Sequence, residues 1–389
     1  MRILFVADGR SPIALNWIRY FVDRGDEVFL ASTFACSPDL PLRELQVTPV
    51  AYSGARSSGT PSQSGSAFGL KARTALRHAL GPLTIPRAAR KLRAYIDRIQ
   101  PDLVHAMRIP FEGMLAADAR TATPLVISVW GNDFTLQAPT TPLMRHYTQW
   151  SMTVADALHA DCQRDIRLAR QWGLAASRPT LVIPGSGGIR TDVFYAPREM
   201  PEEPVVINPR GARSYVRTDV FLRAIPLVLQ RIPNTRFLCT GLNNDRDTAR
   251  TITRLGIRHA VQVLPHLQQH ELADLFRRAQ VMVSPSVHDG TPNTLLEGMA
   301  CGCLPVAGDL ESIREWIRDG ENGLLVNATD AGQVADAILR ALENNDLRQK
   351  AAGLNQQLIR QRAEYGPCMQ RAAEFYARVT TTAAAAPAS

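Results

Sequence analysis

Residues 284–326 read "SPSVHDGTPNTLLEGMACGCLPVAGDLESIREWIRDGENGLLV", and the first half of that run decides the architecture. An apolar strand, "VMVSPS" (281–286), ends in a polar turn; the turn opens a helix, and a second apolar strand, "LPVAG" (304–308), follows at once. Strand, helix and strand at that spacing form the unit of a parallel sheet covered on both faces. Within the turn, Thr291 reads as the N-cap and Pro292 as the first helical residue, where a missing N–H costs nothing. The N–H groups of Asn293 and Thr294 then point out of the helix start with the positive end of its dipole, an anion site suited to phosphate. Asp289 stands in the loop between His288 and Gly290, and Glu297 lies further along the helix, within reach of a bound ligand's hydroxyls. Leu295, Leu296, Met299 and Ala300 supply the buried face. A purely structural reading of the same residues makes Asp289 part of the cap and Glu297 the partner of an arginine.

The same alternation runs outward in both directions. Upstream, "VVINPRG", "RFLCTG" and "VQVLP" are strand candidates separated by stretches with helical spacing of apolar residues. "NPRGARSYVR" (208–217) follows the first of them and carries Arg210, Arg213 and Arg217; arginines at a strand's carboxyl end beside an anion-binding helix start fit a diphosphate. The Pro- and Glu-rich "YAPREMPEEP" (195–204) reads as a linker. Before it, "RILFVA" (2–7), "EVFLAS" (27–32), "DLVHA" (102–106), "PLVISVW" (124–130), "ALHA" (157–160) and "TLVIP" (180–184) repeat the rhythm. The expected fold class is α/β, two doubly wound Rossmann-like domains in tandem with a ligand crevice between them. The expected boundaries are 1–198 for the first domain, 199–363 for the second, a helix over 364–380 packing back on the first, and a disordered tail at 381–389. "SGARSSGTPSQSGSAFG" (53–69) is Ser- and Gly-rich, so a mobile basic loop is expected over about 53–80.

Bulk composition excludes several classes. A chain of 389 residues with 45% hydrophobic and 21% charged content has the composition of a globular protein. The opening strand pattern leads us to expect no secretory leader, and no run of apolar residues is long enough for a membrane span. Six scattered cysteines without a C-x-x-C pair argue for reduced thiols and a cytoplasmic setting, with Cys301 and Cys303 as core packing. The net charge of +8 is concentrated: residues 45–96 contain no acid but carry Arg56, Lys71, Arg73, Arg77, Arg87, Arg90, Lys91 and Arg93. Such a segment fits an anionic membrane surface or polyanionic acceptor, or it is a solvated basic helix beside a loop. Nucleic acid is not expected, because no aromatic stacking stripe accompanies the charge.

The run 284–326 resembles the donor-site signature of the retaining glycosyltransferases of family 4, which have the GT-B fold. The resemblance is carried by Pro-Ser, an acid-Gly pair, Pro-Asn-Thr, Leu-Leu-Glu-Gly-Met-Ala and Asn-Gly-Leu-Leu-Val in that order, and extends through "VADGRSP", "WGNDF" and "VIPGSGGIRTDVF". It implies transfer of a sugar from a nucleotide-diphosphate sugar, most often a UDP-sugar, to an acceptor hydroxyl, with no cofactor and no metal. It implies that the first acid of the pair holds sugar hydroxyls and the second the ribose. The family has Glu at both places; here the first is Asp289, one methylene shorter, and the second is Glu297. Arg210 matches the family's diphosphate-clamping arginine, whereas the usual lysine is missing, so Arg213 or Arg217 has to replace it. Gly9 matches a glycine that approaches the donor phosphates. Where the family often has a histidine near the reacting centre, this chain has Trp130, followed by Asn132 and Asp133; these are acceptor candidates, with a helix cap as the other reading of Asp133. Asp245-Arg-Asp247 spells a metal-binding D-x-D of another fold and is expected to bind none. A lipid or lipid-linked acceptor at the inner membrane face would suit the basic segment. The rival readings are an epimerase-like enzyme or a sugar-nucleotide-binding protein without transferase activity.

Overall fold

The computed structural model describes residues 1–53 and 75–385 and contains two wholly parallel sheets. The first runs β1 (Arg2–Ala7), β2 (Glu27–Ser32), β3 (Glu44–Val47), β4 (Leu103–Ala106), β5 (Leu125–Val129), β6 (Ala157–Ala160) and β7 (Thr180–Val182), in spatial order β3-β2-β1-β4-β5-β6-β7. The second runs β8 (Val205–Asn208), β9 (Arg236–Thr240), β10 (Val261–Leu264), β11 (Val281–Ser284), β12 (Leu304–Gly308) and β13 (Leu324–Val326), in order β10-β9-β8-β11-β12-β13. Both orders reverse once, between β1 and β4 and between β8 and β11, which makes each a doubly wound sheet. Strands such as β1 and β12 are buried along nearly their whole length, as helices on both faces require. The edge strand β3 escaped the sequence reading, because "ELQV" is half-buried and too polar for an apolar run.

The chain divides into two compact units, Met1–Gly187 with Pro367–Ser389, and Gly188–Gly366. The division thus falls about ten residues before the 198/199 boundary read from composition. The reason is that "GIRTDVF" belongs to the second unit: Ile189 N–H donates to Ala363 O at 2.7 Å, Tyr365 N–H returns a bond to Ile189 O at 3.0 Å, and Phe194 packs against Phe276. The last helix spans Tyr365–Ala385, beyond the 380 set by the sequence reading, so 381–385 are helical and only 386–389 of the expected tail lie outside the described residues. Of the basic loop, 54–74 lie outside the described residues, and 75–80 are helical.

The last helix joins the core of the first unit through a directional hydrogen-bond chain. Trp17 Nε1–H donates to Tyr376 Oη at 2.9 Å, and Tyr376 contacts His105 Nδ1. His105 Nε2 lies 2.7 Å from Ser128 Oγ, Ser128 Oγ lies 2.8 Å from His159 Nδ1, and His159 Nε2 lies 3.1 Å from Ile183 O. A carbonyl can only accept, so His159 donates from Nε2 and every earlier proton position follows back to Trp17. Burial pushes both imidazoles toward the neutral form, His159 to about 4, and a neutral pair is what the chain requires.

Candidate functional site

In the second unit, the loops leaving β8 and β11 meet at the sheet's reversal point. Arg210, from the first loop, donates through Nη2 to Asp289 Oδ2 at 2.5 Å and through Nη1 to Thr294 Oγ1 at 3.1 Å. Its backbone N–H donates to Asn208 Oδ1 at 3.1 Å. The two charged side chains are only 7% and 11% exposed, so the pair is largely desolvated. Around it Arg210 Nε, Asn208 Nδ2 and Ser286 Oγ are buried without a hydrogen-bond partner among the described residues. Three such atoms at the ends of the neighbouring strands β8 and β11 form a concentration of unmet hydrogen-bonding capacity, which an oxygen-rich anion would satisfy. Asn208 and Ser286 escaped the sequence reading, since only the strand order shows that their strands are neighbours.

The turn 289–292 is held from behind. Ser312 Oγ donates to Asp289 O at 2.8 Å and Trp316 Nε1 donates to Thr291 Oγ1 at 2.9 Å. Val287 N–H donates to Tyr215 O at 2.8 Å, which ties the β11 loop to the β8 loop. Thr291 does not occupy the N-cap position: the helix spans Asn293–Ala300, and Pro292 is the N-cap residue, with φ −67° and ψ 124° and no side-chain cap bond of its own. The Thr291 hydroxyl serves the Trp316 indole instead. The Thr294 amide makes no hydrogen bond among the described residues, so one donor at the helix start remains open. Gly308, at the end of β12, is required to be glycine because a Cβ there would collide with Ser286 O. Glu297 is half-buried, and burial pushes its carboxyl up to about 7 against the pull of Arg210. His288 is half-buried and Gly290 and Pro292 are buried in the same turn.

The other arginines are placed elsewhere. Arg217 adopts a left-handed conformation (φ 47°) and is taken by Asp219, with Nε at 3.0 Å from Oδ1 and Nη2 at 3.1 Å from Oδ2. Arg213 is exposed and donates to Tyr215 Oη at 3.3 Å. The structure therefore brings Arg210, Asp289, Thr294 and Glu297 together and leaves Arg213 and Arg217 outside that cluster.

In the first unit the acceptor candidates lie beside the reversal between β1 and β4. Asp133 is fully buried and its carboxylate is committed: Oδ1 accepts from Arg108 Nε at 3.0 Å, and Oδ2 from Ile109 N–H at 3.2 Å and Trp130 N–H at 3.1 Å. It therefore clamps the loops after β4 and β5 and has no open face for an acceptor hydroxyl. It does not cap a helix with its side chain either. Trp130 is half-buried under the Arg108 guanidinium, 5.6 Å from ring centroid to Cζ. Trp130 Nε1 and Asn132 Oδ1 are buried without partners among the described residues, so both keep hydrogen-bonding capacity. Gly9 gives its N–H to Ser32 Oγ at 3.1 Å, and a Cβ there would collide with Cys36 Sγ. Its glycine identity is explained by that packing, and its amide is not open for a phosphate.

Neither candidate metal motif is a built cation site. Asp245 caps the helix Arg246–Arg254, accepting from Thr248 N–H at 2.9 Å. Asp161, Cys162 and Asp165 cluster in the first unit, but Arg164 already sits 2.8 Å from Asp165 Oδ1 and fills the cluster with positive charge.

Comparison with known proteins identifies the family and the fold. Residues 210–344 match the family described as glycosyl transferases group 1, and residues 9–185 match the glycosyl transferase 4-like domain. The chain is 31% identical over 170 residues to a D-inositol 3-phosphate glycosyltransferase of Thermobispora bispora, covering 41% of this chain and 39% of that one. It is 27% identical over 222 residues to a phosphatidyl-myo-inositol mannosyltransferase of Mycobacterium leprae, covering 55% and 58%. The alignments thus span about half the length of these relatives or less. Among solved structures, HepE of Anabaena in complex with UDP superposes with a TM-score of 0.73 at 17% identity, over 97% of this chain and 100% of that one. Sucrose-phosphate synthase of Thermosynechococcus elongatus superposes with a TM-score of 0.75 at 15% identity, over 98% and 100%. With a family match in each unit and the fold shared along the chain, this protein belongs to the family 4 glycosyltransferases of the GT-B fold.

Proposed function

We propose that the protein transfers a sugar from a nucleotide-diphosphate sugar, UDP-sugar first among the candidates, to an acceptor hydroxyl with retention at the anomeric carbon. The observation that carries this reading is the Arg210 guanidinium, held at the reversal of the second sheet by Asp289 and Thr294 among three unpartnered polar atoms. The bond between the anomeric carbon and the phosphate oxygen breaks, and its electron pair goes to the diphosphate. Arg210 and the Thr294 amide stabilise that growing charge, with no metal assigned to the task. The acceptor oxygen bonds to the same face of the sugar, and its proton passes to the leaving phosphate oxygen. Glu297 receives the ribose hydroxyls and Asp289 orients Arg210 and meets the sugar. The UDP-bound relative of shared fold favours uridine as the base.

The test is release of nucleotide diphosphate from a panel of nucleotide sugars. Release with a UDP-sugar, even as slow hydrolysis, supports transfer chemistry; binding without any release supports a sugar-nucleotide-binding protein. A membrane-facing acceptor is also proposed, at the cytoplasmic face. Leu76, Leu80 and Leu83 are 55%, 41% and 62% exposed beside Arg87, Arg90 and Lys91, an apolar and basic combination suited to an anionic surface. No helix among the described residues is long and apolar enough to cross a membrane. Salt-sensitive binding to anionic vesicles is the expected result, and its absence at low salt would remove this part.

A further inference from the structure

Three guanidinium groups converge at the carboxyl ends of β1 and β4, and one of them has no ion-pair partner among the described residues. Arg10 is held by Asp8, Nε to Oδ1 at 3.0 Å, and Arg108 by Asp133 at the same distance. Arg77, on the helical segment 75–80, has no carboxylate within ion-pair distance among the described residues. Its guanidinium lies over the rings of Phe34 and Phe111, with Cζ 5.1 and 4.8 Å from their centroids, and Phe34 also carries Arg10 at 3.6 Å. Arg77 Nε is buried and makes no hydrogen bond among the described residues. The acid with the largest electrostatic pull on it is Glu112, whose carboxylate is already committed: Oε1 accepts from Thr33 Oγ1 at 2.7 Å and Oε2 from Phe111 N–H at 2.9 Å. Aromatic faces replace only part of the water that a guanidinium loses on burial. The position is the reversal point of a doubly wound sheet, where ligands of such sheets bind.

We propose that Arg77, with Arg10 and Arg108 beside it, binds a phosphate group carried by the acceptor. The proposal rests on the transferase reading above, in which the first unit takes the acceptor. Three guanidinium planes, from two loops and one helical segment, suit a tetrahedral group better than a planar carboxylate, which one fork would satisfy. A soluble phosphorylated acceptor and a phospholipid headgroup offer the same chemistry.

The full-length protein is first saturated with UDP, so that the donor cradle is filled, and then titrated with inorganic phosphate by calorimetry. Saturable phosphate binding is expected. Arg77→Ala should weaken it by about tenfold or more, and Arg77→Lys should recover it to within a few-fold, since charge persists but the fork is lost. UDP affinity and the circular-dichroism melting curve of Arg77→Ala report whether the fold survives; if Ala fails to fold, the Arg77→Lys and Arg77→Gln variants carry the comparison. Displacement of phosphate by vesicles of phosphatidylglycerol in phosphatidylcholine assigns the group to lipid, and failure to displace assigns it to a soluble acceptor; either result supports the site. Absence of saturable phosphate binding, or equal binding by wild type and Arg77→Ala, overturns it. If UDP itself does not bind, the transferase reading falls. Phosphate binding is then compared between Arg77→Ala and Arg210→Ala, and a loss confined to Arg77→Ala still locates an anion site in the first unit.

Discussion

Arg210 combines two states that compete for one guanidinium. Without ligand it is neutralised by Asp289; with a diphosphate bound it has a second anion to serve. Removing Asp289 leaves a desolvated charge unpaired, so Asp289→Ala should cost about 3 kcal/mol of stability. Saturating UDP should shrink that loss, because the diphosphate supplies the missing counter-charge; denaturant titrations with and without UDP check this. Arg210→Ala should lower kcat by about a hundredfold or more, as measured by donor turnover per folded molecule. Because it leaves the Asp289 carboxylate desolvated and unpaired, it should also lower the melting temperature, as Asp289→Ala should. Glu297 makes a pH prediction. Its folded value, about 7, lies above the ordinary 4.5, so the folded state holds more protons between those values. Stability contributed at this site is therefore full below about 4.5 and declines as pH rises toward 7. Ribose hydroxyls donate best to the ionised carboxylate, so UDP affinity should rise between pH 6 and pH 8, and Glu297→Gln should flatten that rise in calorimetry.

At the scale of elements, cap chemistry separates what local sequence carries from what it does not. Asp245 is recognisable as an N-cap because its bond to Thr248 N–H is local, and Asp245→Ala should cost about 1 kcal/mol in denaturant unfolding. Turnover should be unchanged by that variant, and a dependence of activity on divalent metal that vanished with it would contradict the cap assignment. Thr291 looks like a cap by the same local rules and is not one, because Trp316, 25 residues away, claims its hydroxyl. Arg213 and Arg217 look equivalent to Arg210 in the sequence; Asp219 takes Arg217 two residues on, and Arg213 turns to Tyr215. Most strands were legible as short apolar runs, with the edge strands β3, half-buried and polar, and β13, only three residues long, as the exceptions.

For the molecule as a whole, the return of the last helix to the first unit rests on the chain from Trp17 to Ile183, built from residues far apart in sequence. Tyr376→Phe deletes the hydroxyl that joins the last helix to this chain and leaves Trp17 Nε1 and His105 Nδ1 buried without that partner. A loss of about 2 kcal/mol in denaturant unfolding is expected, with UDP affinity unchanged. Periodicity and the dense run at 284–326 determined the α/β class, the two doubly wound sheets and the family, because alternating apolar runs and a helix-start motif are local properties of a chain. Which polar groups pair with which was decided only by tertiary structure. The order β10-β9-β8-β11 sets Asn208 and Arg210 beside Ser286 and Asp289 across more than 70 residues. The packing of the first unit commits Asp133 and Gly9 to their neighbours and leaves Arg77 Nε buried without a hydrogen-bond partner among the described residues. The physical reason is that a buried polar group takes whichever partner the packed strands and loops bring within reach, and that distance is not written in any one segment.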